Sequence, residues 1–368
     1  MRLYNSYYDR FLEYIAGKNL ICYGAGKMLD EMSEILTVLP TVCKSIQVVD
    51  GNQDKHGKER LVYGNKYTIK SLDEVLNDID NAVILITSGA LSEILQVLEK
   101  RVSSGLPVFS FLLMRKENYE KNLITIEDCD EIIGKSDTEQ IPRKIHYFWF
   151  GKKDIPDEYK KNIETWYKWC PDYEVVRWDE NNCDLNECKY VKEAYERGKY
   201  GFVPDYFRLK VIYNQGGIYL DTDVKLLKPL DELLYLPAYA GFEDNEKVAF
   251  GVGFGAKPGV HILKEMYELY ENVNFVNADG SLNTIASPTY QTEVLKKHGL
   301  KCNGKMQVVD GVTILPMNYL TVQSNHTGRQ YITSNSFSIH QYAASWFTDK
   351  DKENKRKAEE LLKSMEMI

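Results

Sequence analysis

Residues 201–227, GFVPDYFRLKVIYNQGGIYLDTDVKLL, decide how this chain is read. Pro204 suits the first turn of a helix, because its fixed φ is helical and its missing N–H has no partner to lose there. The helix is expected to run to about Asn214. Asp205 and Arg208 then lie three residues apart on one face and can reach a common target, while Leu209, Ile212 and Tyr213 cover the core side. Gln215-Gly216-Gly217 ends the helix, glycine supplying the left-handed cap. IYLDTDV follows as a buried strand, along which side chains alternate, so Asp221 and Asp223 point the same way. Two carboxylates so placed repel each other unless a cation or a proton intervenes. A hard divalent ion with oxygen ligands, Mg2+ or Mn2+ bridging a diphosphate, supplies such a cation.

Three chemistries fit that pair. The acids could merely close a strand. An apolar strand followed by Asp-x-Asp also opens phosphatases of the haloacid dehalogenase type, with Asp221 as nucleophile and Asp223 as general acid. That chemistry needs a later lysine and a further acidic pair, and no convincing GD-x-x-x-D or DD follows residue 223. The third is a metal site for a nucleotide-sugar.

Outward from this unit, the first third of the chain alternates strands and helices: NLICYG (19–24), SIQVVD (45–50), AVILITS (82–88) and LPVFSFL (106–112) as strands, with helices from Lys27 to about Leu39 and over 91–102. Alternation of this kind predicts an α/β fold with a parallel sheet covered on both faces. YGAGKML (23–29) puts Gly24 and Gly26 between strand and helix, where backbone N–H groups and the helix dipole suit a phosphate. Asp50 ends the next strand, where a ribose-binding acid belongs, but Leu29 breaks the third glycine position of the dinucleotide fingerprint. A tight turn without ligand is the competing reading. The expected organisation is a Rossmann-like domain over 1–122, a linker over 123–140, a second domain over 141–348 that opens with IPRKIHYFWFG, and a charged C-terminal helix over 349–368. VVDG occurs at 48–51 and 308–311 with unlike flanks, so no internal repeat is read.

The 368 residues carry a net charge of −8, which leaves no basic excess to neutralise phosphates and argues against a nucleic-acid binder. The 26 tyrosines and 5 tryptophans offer flat apolar faces suited to sugars and bases, though most are expected to fill the core. Seven cysteines, none in a CxxC pair, read as the thiols of a reduced cytoplasmic protein. No secretory leader is read at the N-terminus, and no run reaches the roughly 20 apolar residues of a membrane span. A peripheral contact at the inner membrane face stays open, through the tail's Lys and Arg or through a lipid-linked substrate.

The ordered series from IPRKIHYFWFG through PDYFRLKVIYNQGGIYLDTDV to FSIHQYAASW (337–346) resembles glycosyltransferase family 32 and is similar to the glucosylating domains of large clostridial toxins. The segment around residues 23–29 resembles the nucleotide-binding-like modules often joined to bacterial polysaccharide-synthesis enzymes. The family resemblance, over about 141–347, implies a GT-A fold and a retaining, metal-dependent hexosyltransferase, with the acceptor attacking from the face that the nucleoside diphosphate leaves. It implies that Trp149 stacks on the nucleobase, with Phe148 and Gly151 lining the same pocket. Asp205 and Arg208 would bind the donor sugar and diphosphate, together with Tyr219, Asp221, Ser345 and Trp346. Asp223, Asp221 and His340 would hold Mn2+ or Mg2+. Glu243, Asp244 and the altered turn Ser287-Pro288 are acceptor candidates. The implied donor is a UDP-hexose, galactose or glucose first, with GDP-mannose as the alternative. The implied acceptor is a capsular, exopolysaccharide or lipid-linked glycan. A decayed, non-catalytic sugar-nucleotide-binding protein is the alternative of another class, and the intact Asp205, Arg208, Asp221 and Asp223 count against it. No oligomeric state is legible.

Overall fold

The computed structural model describes residues 1–76, 81–124, 131–243, 247–323, 330–343, 353, 356 and 365–368. The chain divides into two units, Met1–Asn122 with Phe347–Ile368, and Leu123–Trp346.

In the first unit, strands β1 (Arg2–Asn5), β2 (Asn19–Tyr23), β3 (Ser45–Val49), β4 (Glu59–Val62), β5 (Asn65–Lys70), β6 (Ala82–Ile86) and β7 (Pro107–Ser110) lie in the order β1-β7-β6-β2-β3-β5-β4. Helices α1 (Tyr8–Ile15), α2 (Lys27–Ile35), α3 (Leu39–Val42), α4 (Leu72–Leu76), α5 (Leu91–Arg101) and α6 (Phe111–Ile124) connect them. Neighbouring strands are parallel except β4 and β5. The four expected strands are β2, β3, β6 and β7. The β4–β5 hairpin was not legible, because its turn is Tyr63-Gly64, with both φ positive (53° and 74°), in place of the usual Asn-Gly.

The second unit contains β8 (Lys144–Phe148), β9 (Glu174–Trp178), β10 (Gly217–Tyr219), β11 (Val224–Leu226), β12 (Ala238–Phe242), β13 (Val248–Ala249), β14 (Phe254–Ala256), β15 (Gln307–Val309), β16 (Val312–Leu315) and β17 (Ser338–His340). Its helices are α7 (Asp157–Trp169), α8 (Lys189–Glu196), α9 (Pro204–Gln215), α10 (His261–Leu269), α11 (Ser287–Lys297) and α12 (Met317–Leu320). The main sheet is mixed, in the order β15-β16-β12-β14-β10-β8-β9 with β13 beside β12, while β11 and β17 form a separate antiparallel pair. Alternation along the central strands sorts the core into two faces. Phe148 and Tyr219 join Phe207, Leu209 and Ile212 of α9. Ile145, Tyr147 and Ile218 join Ile163 and Trp166 of α7. Burial of each of these large apolar side chains contributes about 2 kcal/mol.

Three sequence expectations change here. Helix α9 is buried nearly all round, including Asp205, Tyr206, Phe207 and Arg208, and has no single core side. IYLDTDV is not one strand: β10 stops at Tyr219, residues 221–223 turn, with the Val224 N–H donating to the Asp221 carbonyl at 3.0 Å, and β11 joins the other sheet. In the tail, most of 349–364 lies outside the described residues; Glu353 and Arg356 are helical and paired at 3.0 Å, but the helix does not reach the end of the chain, because Glu366–Met367 form a strand, β18, beside the edge of β1.

The Gly216-Gly217 pair does more than cap α9. A Cβ at Gly216 (φ 67°) would meet Pro142 and Pro258 at 2.8 Å, and one at Gly217 (φ 101°) would lie 2.9 Å from His146 Nε2. His146, fully buried, accepts at Nδ1 from the Trp178 indole (3.1 Å), so its Nε2 carries the proton and donates to the Gly216 carbonyl (3.1 Å). Burial pushes its pKa down to about 4, the Gly216 hydrogen bond opposing only in part. A histidine with a depressed folded pKa contributes stability that is present above about 6.5 and is lost as pH falls toward 4. Denaturant unfolding between pH 7 and pH 4 is therefore expected to show a loss about 3 kcal/mol larger in the natural protein than in His146→Gln. Equal losses in the two would contradict this role.

Candidate functional site

The side chains that the sequence singles out in the second unit converge around the turn between β10 and β11. Asp205 and Arg208, on the first turns of α9, pair directly inside the protein, both about 95% buried. Arg208 Nη2 also donates to Ser287 Oγ (2.7 Å) at the start of α11. Its Nη1 lies 3.7 Å from Asp221 Oδ1, and its guanidinium carbon sits 5.5 Å from the centre of the Tyr219 ring. The Tyr219 hydroxyl donates to Asp221. Gly251 approaches the same pair, for a Cβ there would lie 2.8 Å from Asp221 Oδ2 and 3.0 Å from Arg208 Nη1.

Asp223, two residues on, has its own partners. Its Oδ1 is 3.3 Å from His340 Nε2, and its Oδ2 accepts from the Ala343 N–H at 2.9 Å. β17 brings His340 here by pairing with β11, His340 opposite Val224. One ligand atom from each of Asp221, Asp223 and His340 falls within 4.8 Å of the others. His340 Nδ1 is buried with no hydrogen-bond partner among the described residues, and the ring meets Tyr342 edge-on at 4.3 Å.

The electrostatics separate the three acids. Burial pushes Asp205 up to about 6, with Arg208 pulling against it and Asp221 adding to it. Burial also raises Asp221, opposed by Arg208 and reinforced by the charge of Asp223. Asp223 is held below the usual carboxylate range, because His340 and the Ala343 N–H outweigh its burial. Asp223 in turn raises His340 against the effect of burial. Two carboxylates and an imidazole form a donor set that suits a hard or borderline divalent ion, whose charge would relieve the repulsion between the two acids.

Other predicted residues are placed differently. Phe148 is core, stacked on Trp178 (6.1 Å) and Phe207 (6.2 Å). The Trp149 indole is partly exposed, donates to the Lys153 carbonyl (2.6 Å) and tilts against Tyr159. Gly151 (φ 96°) is required by the Tyr200 ring, 2.5 Å from a notional Cβ, and its N–H donates to Glu180. Ser287 is 93% buried and spent on Arg208, so it is not an open acceptor contact, and Pro288 opens α11. The Glu243 N–H donates to the Lys247 carbonyl. Asp244, Ser345 and Trp346 lie outside the described residues.

In the first unit, the Gly24–Gly26 loop leaves β2 at the point where the strand order reverses. Its Ala25 N–H is taken by Asp50 Oδ2 at 2.9 Å, the oxygen that also pairs with Lys55 at 2.9 Å. Gly24 (φ 124°) is required by the Thr87 carbonyl, 2.7 Å from a notional Cβ, while nothing crowds Gly26.

Sequence reasoning missed Gly251 and Asn162. Asn162 falls on the buried stripe Tyr159-Asn162-Ile163-Trp166 of α7, where a polar side chain at an inward helical position was the available signal.

Among curated proteins, the chain is 31% identical over 140 residues to inositol phosphoceramide mannosyltransferase 3 of Schizosaccharomyces pombe, covering 37% of this chain and 38% of that protein. It is 30% identical over 106 residues to the initiation-specific alpha-1,6-mannosyltransferase of Candida albicans, covering 26% of this chain and 28% of that protein. The chain thus spans well under half the length of these relatives. Among solved structures, the PaToxG glycosyltransferase overlaps loosely, with a TM-score of 0.37 and 19% identity over 50% of this chain and 79% of its own. The family model described as a glycosyltransferase sugar-binding region containing a DXD motif matches residues 156–238. Asp221-Thr222-Asp223 is the one Asp-X-Asp in that span, so α7, α9 and the β10–β11 turn together match a DXD-containing glycosyltransferase sugar-binding region.

Proposed function

We propose that the chain is a metal-dependent glycosyltransferase of GT-A type that moves a hexose from a nucleotide-sugar to a glycan or lipid-linked acceptor. The observation that supports this most is the grouping of Asp221, Asp223 and His340 beside a buried Asp205–Arg208 pair, all but His340 within a segment that matches DXD-containing transferases.

Asp221, Asp223 and His340 would hold Mn2+ or Mg2+, which neutralises charge developing on the departing diphosphate. The Tyr219 hydroxyl and Arg208 fix the Asp221 carboxylate, and the Ala343 N–H fixes that of Asp223, so both acids are aimed before the donor arrives. Arg208, held by Asp205 and Ser287, keeps a guanidinium at the inner wall, where hydroxyl or phosphate oxygens of a donor can be met. The partly exposed Trp149 offers an indole face to the base. Departure of the diphosphate with same-face attack by the acceptor hydroxyl retains the anomeric configuration.

The relatives named as mannosyltransferases bring GDP-mannose level with the UDP-hexoses favoured by sequence resemblance. A role in capsule or exopolysaccharide assembly rests on that resemblance alone. Placement in the cytoplasm rests on the free thiols among the described residues. A phosphatase fits poorly, since Asp221 is engaged by Tyr219 and Arg208 and Asp223 by His340.

A thermal-shift panel of UDP-, GDP- and CMP-sugars with and without Mn2+ separates the readings. One nucleotide class is expected to raise the melting temperature only when Mn2+ is present, and phosphate release from a generic aryl phosphate is expected to be absent. Failure of every nucleotide with Mn2+ would sink the transferase.

A further inference from the structure

Asp221 and Asp223 come from a turn after β10, whereas His340 comes from the end of β17, more than a hundred residues later. The β11–β17 ladder that joins the two segments ends at His340 itself. Beyond it the chain turns, Tyr342 taking φ 50°. Past His340 the Gln341 and Ala343 N–H groups still donate to Asp223, and side chains join the two segments as well.

Helix α7 runs beside the turn and gives it three hydrogen bonds. Thr165 Oγ1 accepts from the Leu226 N–H (3.0 Å), the Trp166 indole donates to the Val224 carbonyl (2.9 Å), and Asn162 Nδ2 donates to the Thr222 carbonyl (3.1 Å). Of the three, Asn162 alone reaches across. Its Nδ2 also donates to Gln341 Oε1 (3.2 Å), and Gln341 Nε2 returns a bond to Asn162 Oδ1 (3.3 Å). The Gln341 N–H meanwhile donates to the Asp223 carbonyl (3.0 Å). The turn is thereby enclosed in a ring: Thr222 carbonyl, Asn162 amide, Gln341 amide, Gln341 backbone, Asp223 carbonyl.

We propose that Asn162 and Gln341 form an amide clasp that positions Asp223 and His340 for the divalent ion. The proposal rests on the reading of Asp221, Asp223 and His340 as metal ligands given above. Both hydrogens of the Asn162 amide and its oxygen are already used, and the side chain is buried. It therefore has nothing to offer a substrate, and its action is on geometry. Gln341 directly follows His340, so its side chain and its N–H fix where the imidazole lies relative to Asp223. Groups that orient metal ligands commonly change metal affinity 10- to 100-fold when removed.

The test is Mn2+ binding to purified full-length protein in the absence of any nucleotide, followed by electron paramagnetic resonance of free Mn2+, with melting temperatures measured in parallel. Gln341→Ala, at an exposed position, and Asn162→Ala are each expected to weaken Mn2+ binding about tenfold. The double variant is expected to be no weaker than the worse single one, because both residues act through one clasp. A residue that only supports the fold would lower the melting temperature and leave the Mn2+ affinity of the folded protein unchanged. If Asn162→Ala does not fold, Gln341→Ala carries the test alone. Affinity within twofold of the natural protein in the folded single variants, with binding lost in Asp223→Ala, overturns the clasp and leaves the metal site standing. Independent, multiplying losses in the double variant also overturn the clasp. Failure of the natural protein to bind Mn2+ overturns the clasp and the metal site together.

Discussion

Asp223→Ala is expected to lower metal-dependent release of nucleoside diphosphate from the donor by about a thousandfold or more, equivalent to at least about 4 kcal/mol of transition-state stabilisation. The effect is large because Asp223 is the best-prepared ligand of the set. Its carboxylate stays ionised through His340 and the Ala343 N–H, whereas burial pushes Asp221 toward its neutral form. Removing Asp223 takes away a repulsive neighbour of Asp221, the partner of His340 and the acceptor of the Ala343 N–H. Those changes oppose one another in stability. The melting temperature is expected to move by only a few degrees while turnover is lost, and a steady-state assay beside a thermal melt reads both. Turnover at the natural rate in a folded Asp223→Ala protein would remove Asp223 from the chemistry.

Arg208→Ala has the largest expected effect on stability. The guanidinium is 96% buried between Asp205 and Asp221 and bonded to Ser287. Breaking a buried pair from one side typically costs about 3–5 kcal/mol, because a carboxylate is left in the interior without a counter-charge. The loss depends on pH with a defined sign. Arg208 is what pulls the pKa of both Asp205 and Asp221 down against burial, so without it both rise further. A carboxylate with a raised folded pKa favours the folded state below its unfolded value near 3.8 and loses that contribution as pH rises through the folded value. Arg208→Ala is therefore expected to fall further below the natural protein at pH 8 than at pH 5, as read by chemical denaturation at both values. A deficit that is equal at the two, or larger at pH 5, contradicts the buried-pair account.

Both variants act on residues that the sequence makes visible, and the reason is local. Pro204 and the Gly-Gly pair mark the two ends of α9, so the spacing of Asp205 and Arg208 carries directly into three dimensions. The pairing of Asp221 with Asp223 was legible, but its cause was not. Alternation along a strand was expected to align them, whereas a turn does, because the chain leaves the main sheet after Tyr219 to pair with a segment more than a hundred residues away. No local propensity encodes such a pairing. Phe148 and Trp149 show the opposite fault: one joins the core beside α9 and the other tilts against Tyr159 of α7, a divergence that the step out of β8 after Phe148 left unread. Ser287 was read as an acceptor candidate from the family resemblance, while its hydroxyl accepts a hydrogen bond from Arg208, a partner set by the fold and not by the local sequence. Asn162 and Gly251 matter through what lies against them in space, and only the asparagine left a trace, as a polar residue on an apolar helical stripe.

The account stands on a divalent ion held by Asp221, Asp223 and His340. Crystals of the protein soaked with Mn2+ and a nucleoside diphosphate, measured at the manganese absorption edge, test this directly. An anomalous peak is predicted within about 2.5 Å of a carboxylate oxygen of Asp223, with Asp221 and His340 around it and diphosphate oxygens on its open side. A peak placed elsewhere, or a nucleotide bound with no ion at these three residues, would contradict the account.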